Sequence, residues 1–182
     1  MRKKLPLGKL PYRVLLEKVL GNIEVNESIL LPPSYGEDGS VIKINNELII
    51  AAADPITGTS REAGWLAVHV NANDIAVHAA DPMWFLVTLL FPKGSDENKI
   101  EEIMKGIKKG LMEIGAYLIG GHTEITDRVT DVIIAGSMIG KPMIPGKYVS
   151  SSGAKPGDVI LLTKGAGLEG TLILAMDFRE KF

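Results

Sequence analysis

A chain of 182 residues, 46% of them hydrophobic, can bury an ordinary core and holds one domain, or one domain and part of another. A formal net charge of -2 with scattered basic residues and no basic stripe excludes nucleic acid as the main partner. The absence of cysteine excludes disulfide frameworks, thiolate metal sites and cysteine nucleophiles, and no apolar run reaches the roughly 18 residues of a membrane span, so a cytoplasmic protein is expected.

Residues 1–11 read as an arm. Pro6, Gly8 and Pro11 interrupt it before an apolar signal region can form, and Lys9 reads as a surface lysine. Residues 12–20 pattern as a short amphipathic helix stopped by Gly21, so 1–27 is an arm with a docking helix. An apolar, proline-ended stretch at 28–33 leads to a turn at 34–39 that presents Gly36, Glu37 and Asp38. A strand at 40–44, the Asn45-Asn46 pair and a second apolar strand at 48–53 form a hairpin. The second strand is expected to stop at Asp54-Pro55, because proline has no N–H for a ladder.

Residues 61–79 are apolar almost all round, the pattern of a buried helix, and Thr59 or Ser60 can cap it. Asn71, Asn73 and Asp74 interrupt that surface. A buried carboxylate needs compensation, and the nearest candidates are other acids. Acids gathered without cations among them usually share a metal, and an all-oxygen set suits Mg2+ that also holds phosphates. An equally open reading is that Asp74 and the asparagines satisfy backbone groups at a helix end or kink. His69 and His78 do not share a helix face and read as core or interface residues, as Trp65, Trp84 and Phe85 read as packing.

A buried strand is expected at 83–91. A long amphipathic helix follows, capped by Ser95 and ending near Gly115, with Gly106 and Gly110 marking close packing on a sheet. A short strand at 116–119 runs into Gly120, Gly121, His122, Thr123 and Glu124, where two glycines at a strand end let backbone amides approach a ligand. Another strand lies at 131–140. Strands separated by single helices argue for an α/β or α+β layer structure.

The Ser, Gly and Pro composition of 150–156 marks a boundary, dividing the chain into 1–150 and a cut-off start of a second domain at 151–182. A strand at 158–163 and a last helix to residue 182 flank Gly165, Gly167 and Gly170, which match GxGxxG. A dinucleotide site is nevertheless rejected. Only 12 residues follow Gly170, too few for the second strand and the acid that such a site requires.

Taken together, Gly36-Glu37-Asp38, Ala53-Asp54, Asn73-Asp74 through Ala79-Ala80-Asp81-Pro82, and Gly120-Gly121-His122-Thr123 resemble, in chain order, the four motifs of the ATP-binding superfamily of aminoimidazole ribonucleotide (AIR) synthetase, selenophosphate synthetase, thiamine monophosphate kinase and HypE-type hydrogenase maturation factors. Within it, the spelling GGHTE and the Lys155-Pro156-Gly157-Asp158-Val159 run look most like the branch of hydrogenase maturation and related synthetase-like proteins. The resemblance implies a mixed sheet with helices on one side, pairing with a second copy into a dimeric barrel. It implies ATP in a cleft reached from both subunits, Mg2+ held by Asp38, Asp54 and Asp74 with Glu37 and Glu124 as further candidates, and Gly36, Asn73, Gly120, Gly121 and Thr123 around the nucleotide. The implied chemistry is activation of an amide or acid oxygen by phosphorylation, and a maturation partner protein is an implied partner. Glu37 replaces the family's first Asp, His122 stands where many members carry an acid, and Ala79-Ala80 replaces Gly-Ala, a change expected to be mild. A non-catalytic dimerisation or regulatory module of the same fold is the alternative.

Overall fold

The computed structural model describes residues 4–57 and 62–181. Six strands form one sheet in the order β1-β2-β3-β6-β4-β5: β1 Ile29–Leu31, β2 Gly39–Ile44, β3 Glu47–Ile56, β4 Ala80–Pro92, β5 Tyr117–Thr126 and β6 Ile133–Pro142. All neighbours are antiparallel except β4 and β5. The hairpin between β2 and β3 forms as the Asn45-Asn46 pair predicts, with Ile44 opposite Glu47 and Asn45 at φ 55°.

Two helices cross between parallel strands. Helix α2 (Ala63–Ala76) connects β3 to β4, which both flank β6, and α3 (Glu97–Ile114) connects β4 to β5. Both crossovers step in the same direction along the sheet, so right-handed connections put both helices on one face. The strand residues beneath them alternate accordingly. Ile50 and Ala52 of β3, Phe85, Val87 and Leu89 of β4, and Ile134 and Met138 of β6 are buried. Their neighbours Trp84, Leu86 and Leu90 point to the opposite face and are only half-buried.

The helices touch through glycines. A Cβ on Gly64 would lie 2.2 Å from the Ile103 carbonyl oxygen, one on Gly106 would lie 3.0 Å from the Trp65 nitrogen, and one on Gly110 would lie 3.0 Å from Val68 Cβ. Gly106 and Gly110 therefore pack against α2 and not against the sheet as expected. The cap of α3 is also one residue later than expected: the Asp96 carboxylate accepts from Lys99 N, while Ser95 Oγ donates to the Pro92 carbonyl.

Other elements depart from the sequence reading for identifiable reasons. Strand β3 does not stop at Asp54-Pro55 but runs to Ile56, with Pro55 opposite Ala135. Its pairing with β2 ends at Ala52, so at Pro55 only β6 remains as a ladder partner. Helix α2 is shorter than 61–79, and its expected caps Thr59 and Ser60 lie outside the described residues; Glu62, at φ 53°, precedes its first turn. The helix expected at 12–20 is three short pieces: α1 (Tyr12–Val14), a π turn (Leu15–Val19) and a 3-10 turn (Leu20–Asn22). Residues 158–163 are not a strand: they have no ladder partner, and Val159, Ile160 and Leu161 are 81%, 95% and 86% exposed. A single apolar segment without a neighbouring strand cannot satisfy its backbone as sheet. Helix α4 (Leu168–Asp177) follows Gly167, whose φ is 73°.

Candidate functional site

The most ordered part of the site is built by Asn71. On α2 and wholly buried, it accepts from the Asp54 backbone N–H at 2.9 Å, donates to the Asp54 carbonyl at 3.0 Å, and donates to the Ala67 carbonyl at 2.8 Å. Its amide thus pairs with Asp54 as a neighbouring strand would, at the level where β2 no longer does. Gly136 of β6 makes room for it, since a Cβ there would lie 2.4 Å from Asn71 Nδ2. Asp54 is fixed in the backbone while its carboxylate stays exposed.

One turn on, Asp74 is half-buried and not deeply buried as the apolar pattern suggested. Its carboxyl is pushed up from the ordinary 3.8 to about 6, first by burial and then by the charges of Asp54 and Asp38, with His78 and Lys9 acting in the opposite direction. Three aspartates from the β2 entry, β3 and α2 therefore share one field. Lys9, read from sequence as a surface lysine, supplies positive charge to it.

His78 is 2% exposed. Its Nδ1–H donates to the Val149 carbonyl at 2.7 Å, and Val149 N donates back to the His78 carbonyl at 3.1 Å. His78 Nε2 has no partner, and Gly39 leaves it space: a Cβ on Gly39 would lie 3.1 Å from that nitrogen. His69, by contrast, is on the helical surface, where its Nε2 and the Trp65 indole N–H both donate to Glu113 Oε2, at 3.0 and 2.7 Å. The Trp65 bond chiefly holds the Glu113 carboxyl below its usual range.

Of the remaining sequence candidates, Gly36, Glu37 and Asn73 adjoin these aspartates in the chain, and those on β5 lie apart. Glu37 is half-buried and bonded to Ser151, while Gly36 turns at φ 90° beside it. Asn73 is exposed on α2. Gly120, Gly121, Thr123 and Glu124 do not follow a strand end but lie inside β5, the sheet's exposed edge. Gly121 is required there by packing, since a Cβ would sit 1.9 Å from the Val87 carbonyl oxygen. Asp54, Gly136, Val87 and Gly121 occupy one row across four strands, so the aspartates and the glycines are separated by three strand spacings, about 14 Å. His122 donates to Glu124 Oε2 at 3.0 Å, on the sheet face away from the helices.

A cavity of about 600 Å3 opens beside Asp38, walled by Leu15, Leu20, Ala53 and Ile139. Among the described residues, no three His, Asp or Glu side chains converge tightly enough to hold a metal ion by themselves. None of the described helices is long and apolar enough to cross a membrane.

Residues 36–141 match the family model for the N-terminal domain of AIR synthase related proteins. The chain belongs to that family. A putative hydrogenase expression/formation protein of Methanocaldococcus jannaschii is 30% identical over 175 residues, 92% of this chain and 51% of that protein. A thiamine-monophosphate kinase of Pyrococcus horikoshii is 31% identical over 149 residues, 78% and 46% of the two chains. A selenide, water dikinase of Clostridioides difficile is 30% identical over 169 residues, 89% and 47% of the two. The chain spans about half the length of these relatives. Among solved structures, the HypE-HypF complex gives a TM-score of 0.63 at 24% identity, covering 79% of this chain and 47% of that one. AaThiL complexed with AMPPCP and TMP gives 0.61 at 17% identity, covering 82% and 48%. The AIR synthase-related fold, with a mixed six-stranded sheet and helices, is thereby established for this chain.

Proposed function

We propose that this chain is the nucleotide-binding part, within residues 1–150, of a cytoplasmic ATP-dependent enzyme of the AIR synthase-related family that phosphorylates an amide or acid oxygen with Mg2+. Residues 151–182 would begin a second domain. The observation that carries the reading is the shared field of Asp38, Asp54 and Asp74, in which Asp74 is raised to about 6 by burial and by its two acidic neighbours. Such mutual repulsion is what a divalent cation relieves, and an all-oxygen set short of a complete cage leaves positions for phosphate oxygens. The aspartates would supply part of the Mg2+ sphere, with phosphate oxygens and water completing it, and the bound cation would offset charge on the transferring phosphoryl group.

The chain's own residues have separate tasks in this reading. Asn71 holds the Asp54 backbone so that its carboxylate is already placed when ligand arrives. Lys9 on the arm adds a cation that attracts phosphate and lowers the cost of ionising Asp74. Glu37 and Glu124 would have to leave Ser151 and His122 to join the metal. Gly36 and Asn73 border the aspartates and suit nucleotide contacts.

A homodimer reconciles the two separated groups. Half-buried Trp84, Leu86 and Leu90 on the helix-free face suit pairing with a second sheet into a barrel, which would bring the second subunit's Gly120, Gly121 and Thr123 to the cleft. Similarity to the HypE-HypF complex further supports a maturation protein as partner. Calorimetric titration of ATP with and without Mg2+, beside Asp74→Asn, tests the core of the proposal. Heat that requires Mg2+ and is lost in the variant is expected. An intact dimer indifferent to ATP would favour a non-catalytic dimerisation module instead.

A further inference from the structure

We infer that Glu37 is a positioning residue and not a metal ligand: its carboxylate clasps Ser151 and thereby fixes the turn that presents Asp38. This inference rests on the proposed Mg2+ and ATP site. Glu37 Oε1 accepts from Ser151 N at 2.9 Å and from Ser151 Oγ at 2.8 Å, and Oε2 lies 3.2 Å from the same backbone nitrogen. One serine therefore engages both carboxylate oxygens. The two residues are 114 apart in sequence, so the clasp closes a long loop onto the start of β2.

The turn is built for this contact. Gly36 sits at φ 90°, a conformation that side chains disfavour, and its open side faces Ser151 Oγ, 3.8 Å from where a Cβ would be. Glu37 N donates to the Ser34 carbonyl and closes the turn. Two residues before Ser151, Val149 is held by His78 through a reciprocal pair of hydrogen bonds. The 149–151 segment is thus pinned from the end of α2 and from the entry of β2, the same two elements that carry Asp74 and Asp38.

Chain length explains why glutamate stands here. An aspartate carboxylate would end about 1.5 Å short, beyond hydrogen-bond reach of Ser151 Oγ.

Mg·ATP titration of the intact chain with Glu37→Ala, Glu37→Asp, Ser151→Ala, Ser151→Thr and the Glu37→Ala/Ser151→Ala double variant tests this. Glu37→Ala, Glu37→Asp and Ser151→Ala should each weaken Mg·ATP binding about fivefold, near the net worth of one hydrogen bond, without raising the Mg2+ concentration needed. Ser151→Thr, which keeps both donors, should bind as wild type, and the double variant should be no weaker than the worse single one. A raised Mg2+ requirement in Glu37→Ala, with Ser151→Ala silent, would make Glu37 a ligand and overturn the inference. Amide hydrogen exchange at Ser151 without nucleotide provides an independent reading. Exchange faster in Glu37→Ala than in wild type supports the clasp, and equal exchange overturns it, even if ATP proves not to bind and the functional proposal itself fails.

Discussion

The Asn71 side-chain amide pairs with both backbone groups of Asp54, 17 residues earlier in the chain, at 2.9 and 3.0 Å. A helix thereby supplies the rung that strand β2 no longer provides, and the acid at that rung is held without using its carboxylate. Asn71→Ala should cost about 2–3 kcal/mol, because it strands buried backbone groups as well as removing bonds. Asn71→Asp should be similarly damaging, since a carboxylate cannot donate to the Asp54 and Ala67 carbonyls. Urea unfolding of both variants, read beside Asn73→Ala on the exposed face as a near-neutral control, checks this.

Ala79 occupies φ 56°, a left-handed conformation that costs a side-chain-bearing residue about 1 kcal/mol or more. The family's glycine at this position would relieve that strain, so the replacement is less mild than its chemistry suggests. Ala79→Gly should stabilise the chain by about 0.5 kcal/mol after the greater entropy of unfolded glycine is subtracted. The urea midpoint should rise with the slope unchanged.

Asp74 sets a pH dependence with a definite sign. Its folded value, about 6, lies above the ordinary 3.8, so the folded chain holds the proton more tightly than the unfolded one. The stability this contributes is complete below about pH 3.8 and is lost as pH rises through about 6. Asp74→Asn should therefore melt higher than wild type at pH 7.5, with the advantage vanishing near pH 4. Magnesium-dependent ATP binding should run the other way, weakening as pH falls through 6, because the protonated carboxyl no longer attracts a cation. Melting curves and titrations at pH 5 and 7.5 measure the two trends separately.

Replacing a helical glycine with alanine ordinarily stabilises by about 1 kcal/mol. At Gly64 the sign should reverse, since the added methyl would lie 2.2 Å from the Ile103 carbonyl and force the two helices apart. A net loss of about 1–2 kcal/mol is expected. Thermal unfolding of Gly64→Ala, beside Gly170→Ala where nothing lies within 4 Å of the added methyl, checks it.

Local chemistry was legible in the sequence wherever it acts locally. Asn45-Asn46 announces its hairpin, and the spacing of Ile100, Ile103, Ile107 and Leu111 announces α3, because turn geometry and helical period are properties of neighbouring residues. Gly120 and Gly121 misled because a glycine pair reads as a strand end, whereas Gly121 answers to the backbone of Val87 on another strand. Asn71 was visible only as a polar interruption of an apolar helix. Nothing in the sequence names Asp54 as its partner, or Ser151 as that of Glu37. Lys9 likewise acquires meaning only when the arm folds back toward Asp74.

Strand β6 lies between β3 and β4, yet it is the last of the six to be synthesised. Until residue 142 has left the ribosome, the two strands it joins present bare edges and an apolar face to the surroundings. Only the β1-β2-β3 ribbon and the β4-α3-β5 unit can form their sheet pairings beforehand, as separate pieces. This chain therefore assembles late in its own synthesis, and its vulnerability to misassociation is greatest just before β6 slots into the gap between them.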